Sequence, residues 1–454
     1  MKMTENSDRY SYWFISMAIV MFFFIAVRFL GSSVTLLLAP IVAWGVWTLD
    51  ARWYPALLLS MSVDGYNMYA YLLMSLIISV KNWRKFNAYP QVVKGLLFFL
   101  LIPVPVLIAF CVRNWLYLDG VPSKAVEPMT MYLGVFPFFF GVLIARQISR
   151  RDAWSVLCVC ILLAGMQFVT PFSVEGDRQE TIRVVFLTIP VVVCCVVYGL
   201  MKRQFLVITL FGFFVILGYI LTGKGNTFTI LVSSLWACIL VFFVRFRFKG
   251  LIKCATSFFP FALSMIFVAF VAITFEKYAL QSYDRTLIYE EFAKQWNWEA
   301  IKIRAQIKTY DDRAALWRAT WGNVSKTPYW VPDVITENVV FETVSGDYIE
   351  SELSAHNQPL QVLRTLRWGV GSFLIIGYLF ISVLGGRYLR LPVKTDNPML
   401  PIMAATVAVA IIGFTTGHYP LIPTFSFMFT SFLGIGYGLY CQEIHMRRMG
   451  INAP

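Results

Sequence analysis

Charge is scarce in this chain. Asp, Glu, Lys and Arg make up 14% of its 454 residues, against 58% apolar residues, and that charged share is about half of what a soluble globular domain carries. An ordinary water-soluble domain is thereby excluded. Histidine is scarcer still, with three in the whole chain. The eight cysteines, Cys111, Cys158, Cys160, Cys194, Cys195, Cys238, Cys254 and Cys441, lie in apolar stretches or at their basic borders. None falls in the one long polar stretch. Cys158/Cys160 and Cys194/Cys195 are too close together to share a tetrahedral metal, and no histidine is near them. Neither a disulfide framework nor a zinc site is expected, and no metal or cofactor is called for.

Long apolar runs are what the chain has in abundance. They recur along most of its length at about 17 to 22 residues, the span of a bilayer's hydrocarbon core. Only helices that satisfy their own backbone groups, or closed barrels, can cross there. The fold class expected is all-α, a polytopic membrane protein with about 12–14 transmembrane helices and one large external loop. The first run, "SYWFISMAIVMFFFIAVRFL", has no small-residue cleavage site behind it, so it reads as a retained helix rather than a secretory signal. The net charge of +13 does not point to nucleic acid. Nearly half of the basic residues fall in short loops, "KNWRK", "RQISRR", "KR" at 202–203, "RFRFKGLIK", "RYLRLPVK" and "RR" at 447–448. These recur at every second loop, the positive-inside pattern that assigns them to the cytoplasm.

From residue 81 onward the crossings expected are 92–112, 129–145, 153–170, 184–201, 205–221, 227–244, 255–275, 369–386, 398–415 and 421–440. External loops then fall at 113–128, "PFSVEGDRQETIR", "TGKGN", 276–367 and "TGHYP". Before residue 81, segments 12–30 and 34–49 read as a tight pair, and 54–80 reads as broken at "SVDGYN" because Asp64 is costly at a bilayer centre. The chain thus divides into a membrane domain at 1–275, a partly helical external loop at 276–367, and C-terminal membrane helices with a short cytoplasmic tail at 368–454. Within the loop, "EEFAKQWNWEAIKIRAQIKTYDDRAALWRATWGNVSKTP" reads as helix, with Trp317 and Trp321 four apart and Pro328 beyond its end. The part that follows, "YWVPDVITENVVFETVSGDYIESELS", reads as irregular and acidic. An ordered loop of this length between spans usually has a function.

Chemistry-bearing residues gather on the external side. His356, followed by Asn357, stands where the long loop re-enters the apolar region, and His418 lies in a short external turn. His445 belongs to the basic tail and reads as topology. Arg178, Lys224, Arg285, Arg304, Arg313 and Arg318 all lie on the side where positive charge is disfavoured. Arginine's planar fork suits a diphosphate, although some of these residues could instead pair with Glu175, Asp177, Asp311 or Asp312.

"DDRAALWRATWGNVSKTP" followed by "AHNQPLQVLRTLRWGVG" resembles the loop motif of the bacterial O-antigen ligase and O-antigen polymerase superfamily. The matching elements are Arg313, Trp317, "SKTP", His356-Asn357 and "WGVG". Upstream, "EGDRQET" is similar to the place where the family has an arginine before a span. "LTGKGNT" departs from the family's usual pattern, with only Lys224 to stand for its arginine. The resemblance implies an inner-membrane glycosyltransferase whose active site faces the periplasm. It implies a glycan donor on undecaprenyl diphosphate, an acceptor glycan lipid, no metal and no cofactor. Arg313 and His356 would be catalytic, with Arg178, Lys224, Asn357, Trp317, Arg318 and His418 binding substrate, and Trp296, Trp298, Trp321 and Trp330 offering faces for sugars. A chain-length regulator is a possible partner, beside the surrounding membrane lipids. Polymerisation of O-antigen or a related surface polysaccharide is the leading expectation. Ligation to lipid A-core shares the architecture, and a transporter of polysaccharide intermediates is the rival of another class.

Overall fold

The structure, a computed structural model, describes residues 68–117, 122–145, 189–197, 210, 212–214, 216, 227–274, 315–326, 330, 339–342, 348–351, 357–392, 397, 399–416 and 423–449. These residues are helical but for one small hairpin. The helices are α1 (Met68–Lys81), α2 (Gln91–Leu101), α3 (Val104–Tyr117), α4 (Pro122–Leu133), α5 (Pro137–Ile144), α6 (Thr227–Arg245), α7 (Lys249–Ala255), α8 (Phe259–Thr274) and α9 (Ala315–Lys326). After the strands β1 (Val339–Glu342) and β2 (Tyr348–Ser351) come α10 (Gln358–Gly386), α11 (Met399–Thr416) and α12 (Pro423–Arg448). Short 3-10 turns occupy Trp83–Ala88 and Arg387–Arg390. Among the described residues, two helical stretches are long and apolar enough to cross a membrane, Gln91–Leu116 and Gln358–Arg390. The pair Lys249–Ala255 and Phe259–Val271, bent by 55°, makes a third if it counts as one span.

The tightest glycine contact among the described residues is between α5 and α12. A Cβ on Gly141 would overlap the Ser431 carbonyl oxygen, and one on Gly434 would overlap the Phe138 carbonyl oxygen. Gly438 lies against Ala145, and Gly134 against Ser426. Residue numbers rise together on both helices, so the pair runs parallel with backbones touching, as small residues allow between helices in an apolar medium. Thr430 Oγ1 donates to the Gly134 carbonyl at 2.9 Å across this seam. Elsewhere tyrosine hydroxyls tie helices together through main-chain oxygens: Tyr132 to Leu100 and Tyr378 to Ala410, both at 2.9 Å, and Tyr89 to Val142 at 3.0 Å. Ser79, Ser234, Ser382 and Thr406 satisfy their hydroxyls on the carbonyl four residues back. In this way these particular hydroxyls are paired although they sit in an apolar bundle.

The described basic segments, at 81–85, 245–253, 387–390 and 447–448, converge on one end of the bundle. Phe86, in the turn after Lys81, stacks edge-on to Phe139 at 5.9 Å, and Tyr89 reaches Val142 near the end of α5. That helix end lies beside Gly438 of α12. Farther along α12, Glu443 acts electrostatically on Tyr388 of the 387–390 turn. Arg390 in that turn holds Thr256, at the junction of α7 and α8. Lys94, charged within an expected crossing, turns its ammonium back to Asn87 Oδ1 at 2.8 Å and over the Trp83 ring at 4.4 Å.

The sequence reading and the structure differ in several places. Residues 122–128, expected within an external loop, open α4. The expected tail is a continuation of α12 to Arg448. The segment read as irregular forms an antiparallel hairpin, with Val339 paired to Ser351 and Glu342 to Tyr348. Val339, Val340, Phe341, Tyr348 and Ile349 are strand formers on either side of Ser345, Gly346 and Asp347, residue types that favour turns, and they outweigh the acids between them. Residues 1–67, with Asp64, the crossing at 153–170, nearly all of 205–221 and the loop from 275 to 314 lie outside the described residues.

Replacing Gly434 by valine should force α5 and α12 apart. Overpacking against backbone destabilises by about 1–3 kcal/mol or more, which a melting curve of the detergent-purified chain would register as a clear drop. Gly95→Ala, where a Cβ meets nothing within 4 Å, should leave the midpoint unchanged or slightly raised. Equal melting of Gly434→Val and wild type would contradict the packing.

Candidate functional site

The chain enters α10 through Asn357, whose extended backbone and side chain form the N-cap. Its Oδ1 accepts from Leu360 N at 3.1 Å, and its Nδ2 donates to the Thr415 carbonyl at 3.3 Å. The helix therefore starts fastened to the end of α11. It does not run straight. Arg367 has φ 59° and ψ −178°, a left-handed region that non-glycine residues occupy at a cost of about 1–3 kcal/mol. The chain folds sharply there: a Cβ on Gly371 would lie 3.3 Å from the Val362 carbonyl oxygen, whereas nine residues of straight helix would separate them by about 13 Å. Residues 357–366 thus form a short helical arm lying against the start of 368–386, and the latter stretch is about 28 Å long.

The described part of the long loop packs onto this bend. Trp368 Nε1 donates to the Val324 carbonyl of α9 at 3.0 Å, and the Trp321 and Trp368 rings meet edge-on at 5.9 Å. Val370 N donates to the Trp330 carbonyl at 3.3 Å, taking a partner from the loop where an unbroken helix would use Leu366. Gly369 is what admits that strand of loop, since a Cβ there would overlap the Trp330 carbonyl oxygen. Nearer its N-terminus α9 inserts Trp317, 4% exposed, into an apolar cluster with Val268 and Val271 of α8 and Leu360 of the arm.

The arm is buried along its whole length, yet it is polar. Gln358 is 1% exposed, Arg364 9% and Arg367 8%, and Gln361 and Thr365 are buried with them. Gln361 Nε2 approaches Thr365 Oγ1 at 3.4 Å, and both arginines interact with neighbouring groups. Other polar atoms at the arm and the facing side of α9 lack a hydrogen-bond partner among the described residues: both amide atoms of Gln358, Trp317 Nε1 and Thr320 Oγ1. A buried donor or acceptor left unmade costs about 1–3 kcal/mol, and a buried guanidinium needs anionic or hydrogen-bonding company. Neutral donors and acceptors beside guanidinium groups suit a ligand that is both hydroxylated and anionic.

Of the residues singled out from the sequence, Asn357, Trp317 and Arg318 are described. Asn357 is fully buried and engaged at both ends of its amide as a structural tie. The Trp317 ring is packed against aliphatic side chains, which leaves its N–H rather than its faces for a ligand. Arg318 is half-buried on α9 and interacts with its surroundings. Trp321 and Trp330, 51% and 75% exposed, keep open ring surface beside the bend. His356, Arg313, Arg178, Lys224, His418, Trp296 and Trp298 lie outside the described residues. The sequence reading passed over Arg364 and Arg367. The available signal was two arginines three apart, just after His-Asn and before an apolar run, on the side where positive charge is disfavoured. No protein-family model and no curated protein matches this chain.

Gly369→Ala should push Trp330 off the bend and loosen the loop. We expect faster protease cleavage between residues 326 and 357 and a lower melting midpoint, while Gly322→Ala, whose Cβ meets nothing within 4 Å, leaves both as in wild type. Unchanged cleavage in Gly369→Ala would mean that the loop is held elsewhere.

Proposed function

We propose that the protein is a multi-spanning inner-membrane glycosyltransferase that takes a glycan from undecaprenyl diphosphate at the periplasmic face, polymerising O-antigen or a related surface polysaccharide. The observation that carries this reading is the buried arm 357–367, where Arg364 and Arg367 are enclosed in an otherwise apolar bundle next to orphaned neutral donors and acceptors. The crowding of basic segments at the opposite end supports the orientation, because that end then faces the cytoplasm.

In the reaction, a hydroxyl oxygen of the acceptor glycan attacks the donor's anomeric carbon as the bond from that carbon to the diphosphate oxygen breaks. Undecaprenyl diphosphate leaves with the bonding electrons. Arginine stabilises the charge gathering on the diphosphate, most effectively where water is excluded and the groups are already in place. Arg364 and Arg367 join Arg313, Arg178 and Lys224 as candidates for this role. His356, one residue before the fixed Asn357, is suited to take the acceptor's proton, since imidazole titrates near neutral pH. The Asn357 cap would then hold the backbone beside His356 at a constant place.

Arg367→Gly is a sharp test. Glycine adopts φ 59° freely, so the bend survives and only the guanidinium is lost. Removing one preorganised donor from a developing anion lowers rate by about 10²–10³. In a strain lacking the chromosomal gene, the variant should be as stable as wild type but lose the polysaccharide ladder, leaving single repeat units on lipid A-core; His356→Ala should do the same. Loss of all attached glycan, with lipid-linked polymer accumulating, would indicate ligation instead. A full ladder from stable Arg367→Gly would remove that arginine from the chemistry.

A further inference from the structure

A second group of arginines lies at the opposite end of the bundle, far from the arm. The 387–390 turn touches α6, α7, α11 and α12, so it sits at a junction of four helices. Arg390 is committed to structure there: its Nε donates to Thr256 Oγ1 at 2.8 Å and its Nη2 to the Thr256 carbonyl at 2.7 Å. Arg387 is not. Its Nε is buried and has no hydrogen-bond partner among the described residues, and the same holds for Nη1 of Arg245 at the end of α6. Arg387 and Arg390 lie close enough to act on one another as like charges. The carboxylate on this part of α12, Glu443, is already held by Arg447 at 2.8 and 2.9 Å. Arg387 Nε and Arg245 Nη1 are thus two buried guanidinium donors with no acceptor among the described residues.

The rim says which kind of anion fits. Lys249 and Lys253 are exposed on α7, and between and around them Phe246, Phe248, Leu251 and Phe258 are exposed as well. Phe246 and Phe248 stack at 6.3 Å. Hydrated inorganic phosphate gains nothing from such a rim. An amphiphile with a phosphate head and hydrocarbon tails matches both parts, as basic pockets between helices do on the cytoplasmic side of membranes.

We propose that Arg387 and Arg245 form a binding site for the phosphate of an anionic phospholipid in the leaflet opposite the glycan site. The proposal rests on the membrane placement given above but not on glycan transfer, and its test reads binding rather than activity. The full-length protein, purified in a neutral detergent, is melted with increasing phosphatidylglycerol, phosphatidylcholine or inorganic phosphate. A ligand bound only by the folded state raises the midpoint in proportion to occupancy. Phosphatidylglycerol should raise it saturably, and neither of the other two should at equal concentration. In Arg387→Gln the half-saturating phosphatidylglycerol should rise at least about ten-fold, the loss expected for one charged hydrogen bond. Arg448→Gln, an exposed arginine near the end of α12, should respond like wild type. Equal stabilisation by phosphatidylcholine, or an unchanged response in Arg387→Gln, overturns the site. Stabilisation by inorganic phosphate alone overturns the lipid assignment. Should Arg387→Gln not fold, Arg245→Gln is read in its place, with native mass spectrometry counting retained phosphatidylglycerol and the same outcomes deciding.

Discussion

The backbone at Arg367 is the constraint on which the rest of this structure turns. A side-chain-bearing residue at φ 59° holds that conformation only where its neighbours over-determine it. Here they do so from three directions. Asn357 pins the near end of the arm to α11, Trp330 supplies a carbonyl to Val370 N across the break, and Leu360 is buried with Trp317 beneath the loop helix. Each hold depends on the others. Without the bend the arm would extend the long helix and its glutamines and arginines would leave their enclosure. Without the loop the amide of Val370 would lose the partner it has in place of Leu366.

Strain of this kind needs a rigid frame behind it, and the frame is built from close approach rather than bulk. The glycine seam between α5 and α12 brings backbones into contact, and the tyrosine and threonine hydroxyls bonded to carbonyls of neighbouring helices fix their relative heights. Helix 368–386 joins this frame through Tyr378, stacked on Phe414 at 5.6 Å with ring planes 4° apart and bonded to Ala410. Its start is therefore fixed both by the bundle below and by the loop above, and the arm is held between the two.

The helical character was legible in the sequence from its long apolar runs, and among the described residues two stretches, or three with the bent pair, reach membrane length. The crossing expected at 369–386 begins two residues past the real bend, since the apolar run starts where the polar arm stops. The helix around Trp317 and Trp321 was visible from its spacing. The sequence did not disclose that 357–367 is itself helical and buried, because a polar stretch beside a loop reads as loop. Burial of Arg364 and Arg367 depends on the fold at Arg367, and no local pattern announces a left-handed arginine. The hairpin was missed for a related reason: acidic residues between Val339 and Ser351 hid two short runs of strand formers. Asn357 was singled out for the right position, but the structure employs it as a helix cap, a role its side chain fills at any functional or non-functional loop entry.

Orientation alone does not account for all the arginines. A basic residue that merely keeps a loop in the cytoplasm acts equally well when hydrated, as exposed Arg447 and Arg448 are. Burial adds a desolvation cost that topology does not require. Arg364 and Arg367 at one end, and the inward nitrogens of Arg387 and Arg245 at the other, bear that added cost. At both ends the burial is paired with polar atoms left unmet within the described residues: the Gln358 amide, Trp317 Nε1 and Thr320 Oγ1 beside the arm, and Arg387 Nε and Arg245 Nη1 at the other end. The two ends differ in their surroundings. Orphaned hydroxyl, indole and amide groups face the arm, which suits a sugar diphosphate, whereas exposed phenylalanines and lysines ring the other corner, which suits a lipid. The same side-chain chemistry would thus serve the two proposed ligands through what borders it.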